Sequence, residues 1–300
     1  MTHDRSLKGH AAVLIANVLW GLNAPISKSV LAEFTALSVT TFRMLGAAIC
    51  FLILSFFLPR EHIPPKDMLR LFFASVFGIV FNQGMFILGL SLTSPIDSSI
   101  IATTSPIVTM IIAAIYLKEP VTHKKVMGIF LGAIGALILI FGSQPSAMGG
   151  SSSILGNAFC LIGQFSFAIY LTVFKDLIQK YSPVTINKWL FIYASLCFIP
   201  VSYSDMVSID FATIPMDIVW QLLYVVLAAT FLTYILIVVG QRLLRPTIVS
   251  MYNYVQPIVA TILAVIWGMD TFGITKGLAI GLVFLGVYVV TQSKSKAELE

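Results

Sequence analysis

The chain is divided into ten apolar stretches, each long enough to cross a lipid bilayer as a helix. A bilayer core of about 30 Å needs roughly 20 apolar residues per helix. Only 10% of the residues are charged, and the stretches lack the polar–apolar alternation of barrel strands. The sequence therefore predicts an all-α integral membrane protein with ten transmembrane helices. The predicted spans are residues 11–31, 37–58, 69–90, 96–117, 126–142, 154–174, 185–203, 218–240, 247–268 and 274–292.

The basic residues lie mainly on one side of these predicted spans. Fifteen of the 18 lysines and arginines fall in the two tails and in the alternate loops that share their side. Because basic residues favour the cytoplasmic side, we expect a multi-pass protein of the plasma (inner) membrane with both termini cytoplasmic. The net charge of +5 is explained by this topology, so nucleic acid is not an expected partner.

The two halves of the chain resemble each other. With a shift of 151 residues, segment 89–119 aligns with 240–270 without a gap, and Pro106 matches Pro257. Because each half holds five spans, the second half begins on the opposite side of the membrane, which predicts two inverted five-helix repeats. Inverted repeats are typical of carriers that bind substrate between their halves. The predicted units are a first repeat, a linker, a second repeat and a cytoplasmic tail, at residues 1–142, 143–153, 154–292 and 293–300.

Several motifs follow one another along the chain: LWGLNAPISK (19–28), Arg43, the Pro106 helix, LKEPVTHKKVMGIFLGAIG (117–135) and GLAIGLVFLGVYVV (277–290). Together they resemble the EamA-like branch of the drug/metabolite transporter superfamily. The resemblance covers nearly the whole chain. It implies a ten-helix carrier made of two EamA domains, which moves small metabolites such as amino acids.

Polar and aromatic side chains gather near half depth in six of the spans. An unpaired polar group in hydrocarbon costs several kcal/mol, so we expect these side chains to line a substrate cavity. The alternative, that they only join helices by hydrogen bonds, stays open. In the ninth span, three of them share one helix face at spacings of three and four. The candidate substrate-binding residues are Asn17, Trp20, Asn23, Asn82, Gln83, Thr103, Ser105, Gln164, Tyr170, Tyr234, Tyr252, Asn253 and Gln256.

A second group of residues is expected to shape the helices or gate the cavity. The prolines remove backbone hydrogen bonds and should bend their helices. The glycines form Gly-x-x-x-Gly pairs that let helices approach closely. Arg43 is the basic residue well within a span, where an ionisable group is a functional candidate, but a structural role is the favoured hypothesis. The group comprises Arg43, Pro106, Pro257, Gly128, Gly132, Gly277 and Gly281.

The sequence favours transport over catalysis. It contains no phosphate-binding loop, metal-ligand spacing or catalytic dyad within the spans, so we expect neither an enzyme nor a cofactor. No Asp or Glu lies at half depth, which argues against a proton relay and a strongly cationic substrate.

We therefore predict an alternating-access carrier for small neutral or zwitterionic metabolites, acting as a monomer or homodimer in the lipid bilayer. Amino acids and related compounds are the leading substrates, and export is the favoured direction. The alternative is a flippase for a lipid-linked sugar or another amphipathic molecule. Only Arg43 and Lys28 could bind the phosphate that such a lipid carries.

Overall fold

A computed structural model describes residues 2–93, 98, 101–142, 153–266 and 273–293. The described chain is helical and contains no strand. The predicted linker and C-terminal tail fall almost entirely outside these residues. The helices are α1 Thr2–Val30, α2 Ala36–Phe56, α3 Pro65–Leu92, α4 Ser105–Tyr116, α5 His123–Gly142, α6 Ile154–Val173, α7 Pro183–Val207, α8 Met216–Leu243, α9 at 246–266 and α10 Ile274–Thr291, with a short helix Lys175–Lys180 between α6 and α7.

Seven helices in the described part of the chain are long and apolar enough to cross a membrane. They are α1, α2, α3, α6, α7, α8 and α10. The chain is thus a multi-pass membrane protein. The full ten-span scheme remains a prediction, because α4 has only 12 residues and a 3-10 turn, Tyr252–Tyr254, interrupts α9.

Helices α3 and α8 share an irregularity at matching positions. Both have 28 residues, and they begin 151 residues apart, at Pro65 and Met216. Each contains a π-helical segment, and these segments also begin 151 residues apart, at Val76 and Leu227. A π segment widens the helix and is frequent at functional sites. The offset found in the sequence therefore recurs in the local backbone.

The most extensive helix contacts form a pattern that is unchanged when the two halves are exchanged. Helix α2 packs on α7, α4 on α9, and α5 on α10. Helix α1 packs on α8 as α6 packs on α3, and α1 packs on α9 as α6 packs on α4. If each helix is replaced by its counterpart five helices along the chain, every pair named above gives the same pair or another of the named pairs.

Pro106 and Pro257 each lie near the start of a helical segment. Pro106 lies in the first turn of α4, and Pro257 is the third residue of the segment Val255–Ile266. A proline in a first turn loses no intrahelical hydrogen bond, because its missing N–H would have no partner there. The chain is interrupted before each proline, by a turn at residues 103–104 and by the 3-10 turn of α9.

Glycines bring α5 and α10 into backbone contact, but in a different register from the predicted one. A Cβ built at Gly128 would lie 2.7 Å from the carbonyl oxygen of Gly286, and one at Gly132 would lie 2.5 Å from the Tyr254 ring. A Cβ at Gly281 would meet nothing within 4 Å. The close contact expected at Gly281 is therefore made by Gly286, on another face of α10.

Candidate functional site

A small cavity of about 50 Å³ lies between helices of both halves. Helices α1, α2 and α3 of the first half, and α6 and α9 of the second, contribute to its wall. Seven of the predicted substrate-binding residues line it: Trp20, Asn23, Asn82, Gln83, Gln164, Asn253 and Gln256. Arg43, Phe86 and Phe167 complete the lining.

The α3 wall of the cavity is held by a chain of amide hydrogen bonds. Asn82 Nδ2 donates to the carbonyl oxygen of Gly163 in α6 at 3.0 Å. Gln83 Nε2 donates to Asn82 Oδ1 at 3.1 Å and to Tyr234 Oη at 3.0 Å. Gln83 Oε1 is buried and accepts no hydrogen bond from the described residues. The amide is thus fixed through its nitrogen, and its oxygen stays available to a ligand.

The π segments supply backbone acceptors that orient the aromatic side chains around the cavity. Tyr234 Oη donates to the carbonyl oxygen of Gly78, in the π segment of α3, at 3.0 Å. Trp20 Nε1 donates to the carbonyl oxygen of Ala229, in the π segment of α8, at 3.0 Å. Gly78 and Ala229 are 151 residues apart, so each half offers the same acceptor. Tyr234 does not line the cavity but holds Gln83 in place.

The α9 wall is tied to α1 through side-chain amides. Gln256 Nε2 donates to Asn17 Oδ1 at 3.0 Å and approaches Asn253 Oδ1 at 3.4 Å. Asn17 Nδ2 in turn donates to the carbonyl oxygen of Val13 at 2.9 Å. Asn17 is therefore a positioning residue behind the cavity wall.

The shared face expected in α9 is only partly present. Asn253 and Gln256 line the cavity, but the hydroxyl of Tyr252 hydrogen-bonds to Nδ1 of His10 at 2.8 Å, away from it. A 3-10 turn advances by about 120° per residue, compared with about 100° in an α-helix. The turn Tyr252–Tyr254 therefore rotates Tyr252 off the face predicted from regular helical spacing.

Three further candidates lie outside the cavity lining. The Tyr170 ring fills the space beside Gly78, where a Cβ would lie 2.6 Å from it. Thr103 is buried, and the buried Ser105 Oγ has no hydrogen-bond partner among the described residues. The structure therefore does not place these three residues at the cavity.

Arg43 lines the cavity, although a purely structural role was the favoured hypothesis. Its Nε donates to Thr230 Oγ1 at 3.0 Å, and that hydroxyl donates to the carbonyl oxygen of Val225 at 2.7 Å. The side chain is fully buried, and neither Nη1 nor Nη2 has a hydrogen-bond partner in the described chain. The guanidinium is thus anchored at one end and free at the other.

Two aromatic residues of the lining, Phe86 and Phe167, were not predicted. The chain contains 22 phenylalanines, most of them in apolar spans, so their residue type carries no signal. A signal does exist in the repeat: Phe167 lies 147 residues after Trp20, as Gln164 lies 147 after Asn17. Gly9 and Gly156 show that this offset relates α1 to α6, since they approach Gly240 and Gly89 respectively.

The model of the EamA-like transporter family matches residues 7–141 and 154–292. The chain belongs to the EamA-like transporter family. An uncharacterized transporter of Archaeoglobus fulgidus is 23% identical over 288 residues, which cover 96% of this chain and all of that protein. The uncharacterized inner membrane transporter YicL of Salmonella typhimurium is 22% identical over 290 residues, with 95% of each chain covered.

A solved crystal structure supports the fold at the level of coordinates. It superposes with a TM-score of 0.73 over 96% of each chain, at 15% sequence identity. At this identity the likeness shows a shared fold alone. The EamA-like match and the named relatives make the protein a membrane transporter rather than an enzyme.

Proposed function

We propose that the protein is an alternating-access carrier for small neutral or zwitterionic metabolites. Amino acids and related compounds are the first candidates, and export is the proposed direction. The observation that carries the proposal is the amide-rich cavity whose wall comes from helices of both halves. A substrate bound there contacts both halves at once, which is what a carrier needs if their relative movement is to change access.

Two inverted five-helix repeats, with both termini in the cytoplasm of a plasma (inner) membrane protein, form the proposed framework. Three observations support it. The 151-residue offset of the sequence repeat recurs in the bounds of α3 and α8, and again in their π segments. The most extensive helix pairs are also unchanged by exchange of the halves. Rocking of such related halves would open the cavity to each side in turn.

The chemistry of the cavity supports a polar organic substrate without a strong positive charge. Six carboxamides and one guanidinium line it, together with three aromatic rings. Carboxamides both donate and accept hydrogen bonds, so they suit amino, hydroxyl and carboxylate groups. Among the described lining residues there is no Asp, Glu or His. We therefore propose downhill transport or exchange rather than transport coupled to a proton-binding carboxylate.

The test is counterflow in proteoliposomes that contain the purified full-length protein. Liposomes preloaded with unlabelled compound would be mixed with labelled amino acids, nucleosides or sugars, with and without a pH gradient. We expect exchange of at least one amino acid, little affected by the gradient. Failure of the folded protein to exchange any amino acid would contradict the proposed substrate class.

A further inference from the structure

We propose that Arg43 binds a carboxylate of the transported compound through Nη1 and Nη2. The carrier would then select compounds with a free carboxylate over the corresponding amides and esters. This inference rests on the proposed function of the cavity as a substrate site. It narrows that function from neutral or zwitterionic metabolites to those that carry a carboxylate.

The Arg43 guanidinium makes only part of its possible hydrogen bonds. Thr230 fixes Nε at 3.0 Å and is itself fixed by the carbonyl oxygen of Val225. Nη1 and Nη2 are buried without a hydrogen-bond partner in the described chain. A buried cation with unmade hydrogen bonds is costly, and proteins retain such groups where a partner compensates them. Arg43 is also one of the residues that line the cavity.

Among the described residues, Arg43 has no protein counter-ion. The basic members of the ion pairs found there are Arg70, Lys125 and Lys180. Arg43 takes part in none of them, and the described cavity lining holds no Asp or Glu. A carboxylate on the ligand would supply the negative charge that the described residues do not place beside Arg43.

The shape of the guanidinium also fits a carboxylate. A guanidinium presents its N–H groups as a planar fork that matches a carboxylate with two parallel hydrogen bonds. The anchor at Nε leaves Nη1 and Nη2 for this contact. A phosphate could also meet the fork. Phosphorylated compounds therefore form one arm of the test.

The test compares the wild type with Arg43→Lys, Arg43→Gln and a control, Arg70→Gln. The control makes the same change at an arginine whose partner is Asp176, outside the cavity. Each purified full-length protein is assayed by counterflow with L-amino acids, their amides, their methyl esters and phosphoserine. The shift in melting temperature with each compound in detergent is measured in parallel, because it reports binding without transport.

We expect wild type and Arg70→Gln to prefer an amino acid to its amide. Arg43→Gln should weaken the apparent affinity for that amino acid by about tenfold or more, because charge-assisted hydrogen bonds are lost. Arg43→Lys should keep the preference with lower affinity, since a lysine supplies charge without the planar fork. Arg43→Lys also keeps the proposal testable if Arg43→Gln does not fold.

Equal transport of an amino acid and its amide by the wild type would overturn the carboxylate assignment and leave the carrier function standing. So would unchanged affinity in Arg43→Gln, or a preference for phosphoserine that Arg43→Gln abolishes. If the wild type exchanges none of the compounds, the proposed function fails, and the melting temperatures decide the role of Arg43. No greater stabilisation by amino acids than by their amides would then overturn the assignment.

Discussion

Gln83 Nε2 donates to Tyr234 Oη at 3.0 Å, and the two residues are 151 positions apart in the chain. This separation equals the offset of the sequence repeat, so the bond joins equivalent positions of the two halves. Gln83 comes from the π segment of α3, and Tyr234 follows that of α8 by two residues. A contact between equivalent positions lies where the halves meet, beside the cavity.

Removal of the Tyr234 hydroxyl should impair transport more than folding. In Tyr234→Phe, Gln83 keeps its bond to Asn82 but loses its second anchor, so its amide should turn more freely at the cavity wall. We expect several-fold slower counterflow. The variant loses two buried hydrogen bonds, from Gln83 and to the carbonyl oxygen of Gly78, which should cost about 2 kcal/mol of stability. The control is Tyr288→Phe, whose side chain is exposed on α10; equal loss of transport in both variants would contradict the assigned role.

Asn253 and Tyr252 are adjacent in the chain but should respond differently to substitution. Asn253 lines the cavity, so Asn253→Ala should reduce transport while the melting temperature changes little. Tyr252→Phe removes the hydrogen bond to His10, outside the cavity, and should lower the melting temperature with transport largely kept. Counterflow and thermal unfolding of both variants provide the measurement. Normal transport together with a much lower melting temperature in Asn253→Ala would make this residue a link between helices.

Two glycines of α10 form a matched pair for testing helix packing. In Gly286→Ala the new Cβ would lie 2.6 Å from both the carbonyl oxygen of Gly128 and the nitrogen of Gly132, so α5 and α10 must separate. In Gly281→Ala it would meet nothing within 4 Å. We expect a drop in melting temperature of several degrees for Gly286→Ala, and almost none for Gly281→Ala. The reverse order would show that α5 and α10 pack in the register predicted from sequence.

The sequence predicted a helical protein that crosses the membrane several times, because a bilayer imposes a simple length rule. It also predicted most polar residues of the cavity, since each stands out in an apolar span. It did not predict the face of Tyr252, because the 3-10 turn that rotates this residue leaves no clear sequence signal. The unpaired atoms of Arg43 were equally hidden, since they depend on how the neighbouring helices surround the guanidinium.

The register in which α5 and α10 pack was the other feature that the sequence did not predict. The Gly-x-x-x-Gly spacing occurs in both α5 and α10, but the spacing alone does not say which glycine faces the partner helix. The structure assigns that contact to Gly286 rather than Gly281. The π segments were also missed, because no proline marks them and only the 151-residue offset relates one to the other.

Glu61, in the loop before α3, should make the thermal stability of the protein depend on pH. Burial alone would raise the pKa of Glu61, but hydrogen bonds from Thr185 and Ser182 and the charge of Arg242 hold it below its usual value. A carboxylate with a lowered folded-state pKa stabilises the fold above its unfolded pKa, and this contribution is lost as the pH falls through the folded value. Glu61→Gln should therefore melt slightly below the wild type at pH 7.

The two melting curves should converge as the pH falls well below about 4, where Glu is protonated even in the wild type. Glu33→Gln is a control, since Glu33 is exposed and forms no ion pair among the described residues. A constant difference between Glu61→Gln and wild type from pH 7 to pH 3 would contradict the role of the charge.

Opposite faces of the membrane should be accessible at His62 and Ala212. His62 lies in the α2–α3 loop beside Arg60, and Ala212 lies in the α7–α8 loop beside Asp210. Because basic loops stay in the cytoplasm, the first loop should be inside and the second outside. Single cysteines at these sites, with the three native cysteines replaced, would be treated with a membrane-impermeant maleimide. In intact cells only Ala212→Cys should react, and His62→Cys should react after permeabilisation; labelling of both sites in intact cells would exclude the proposed orientation.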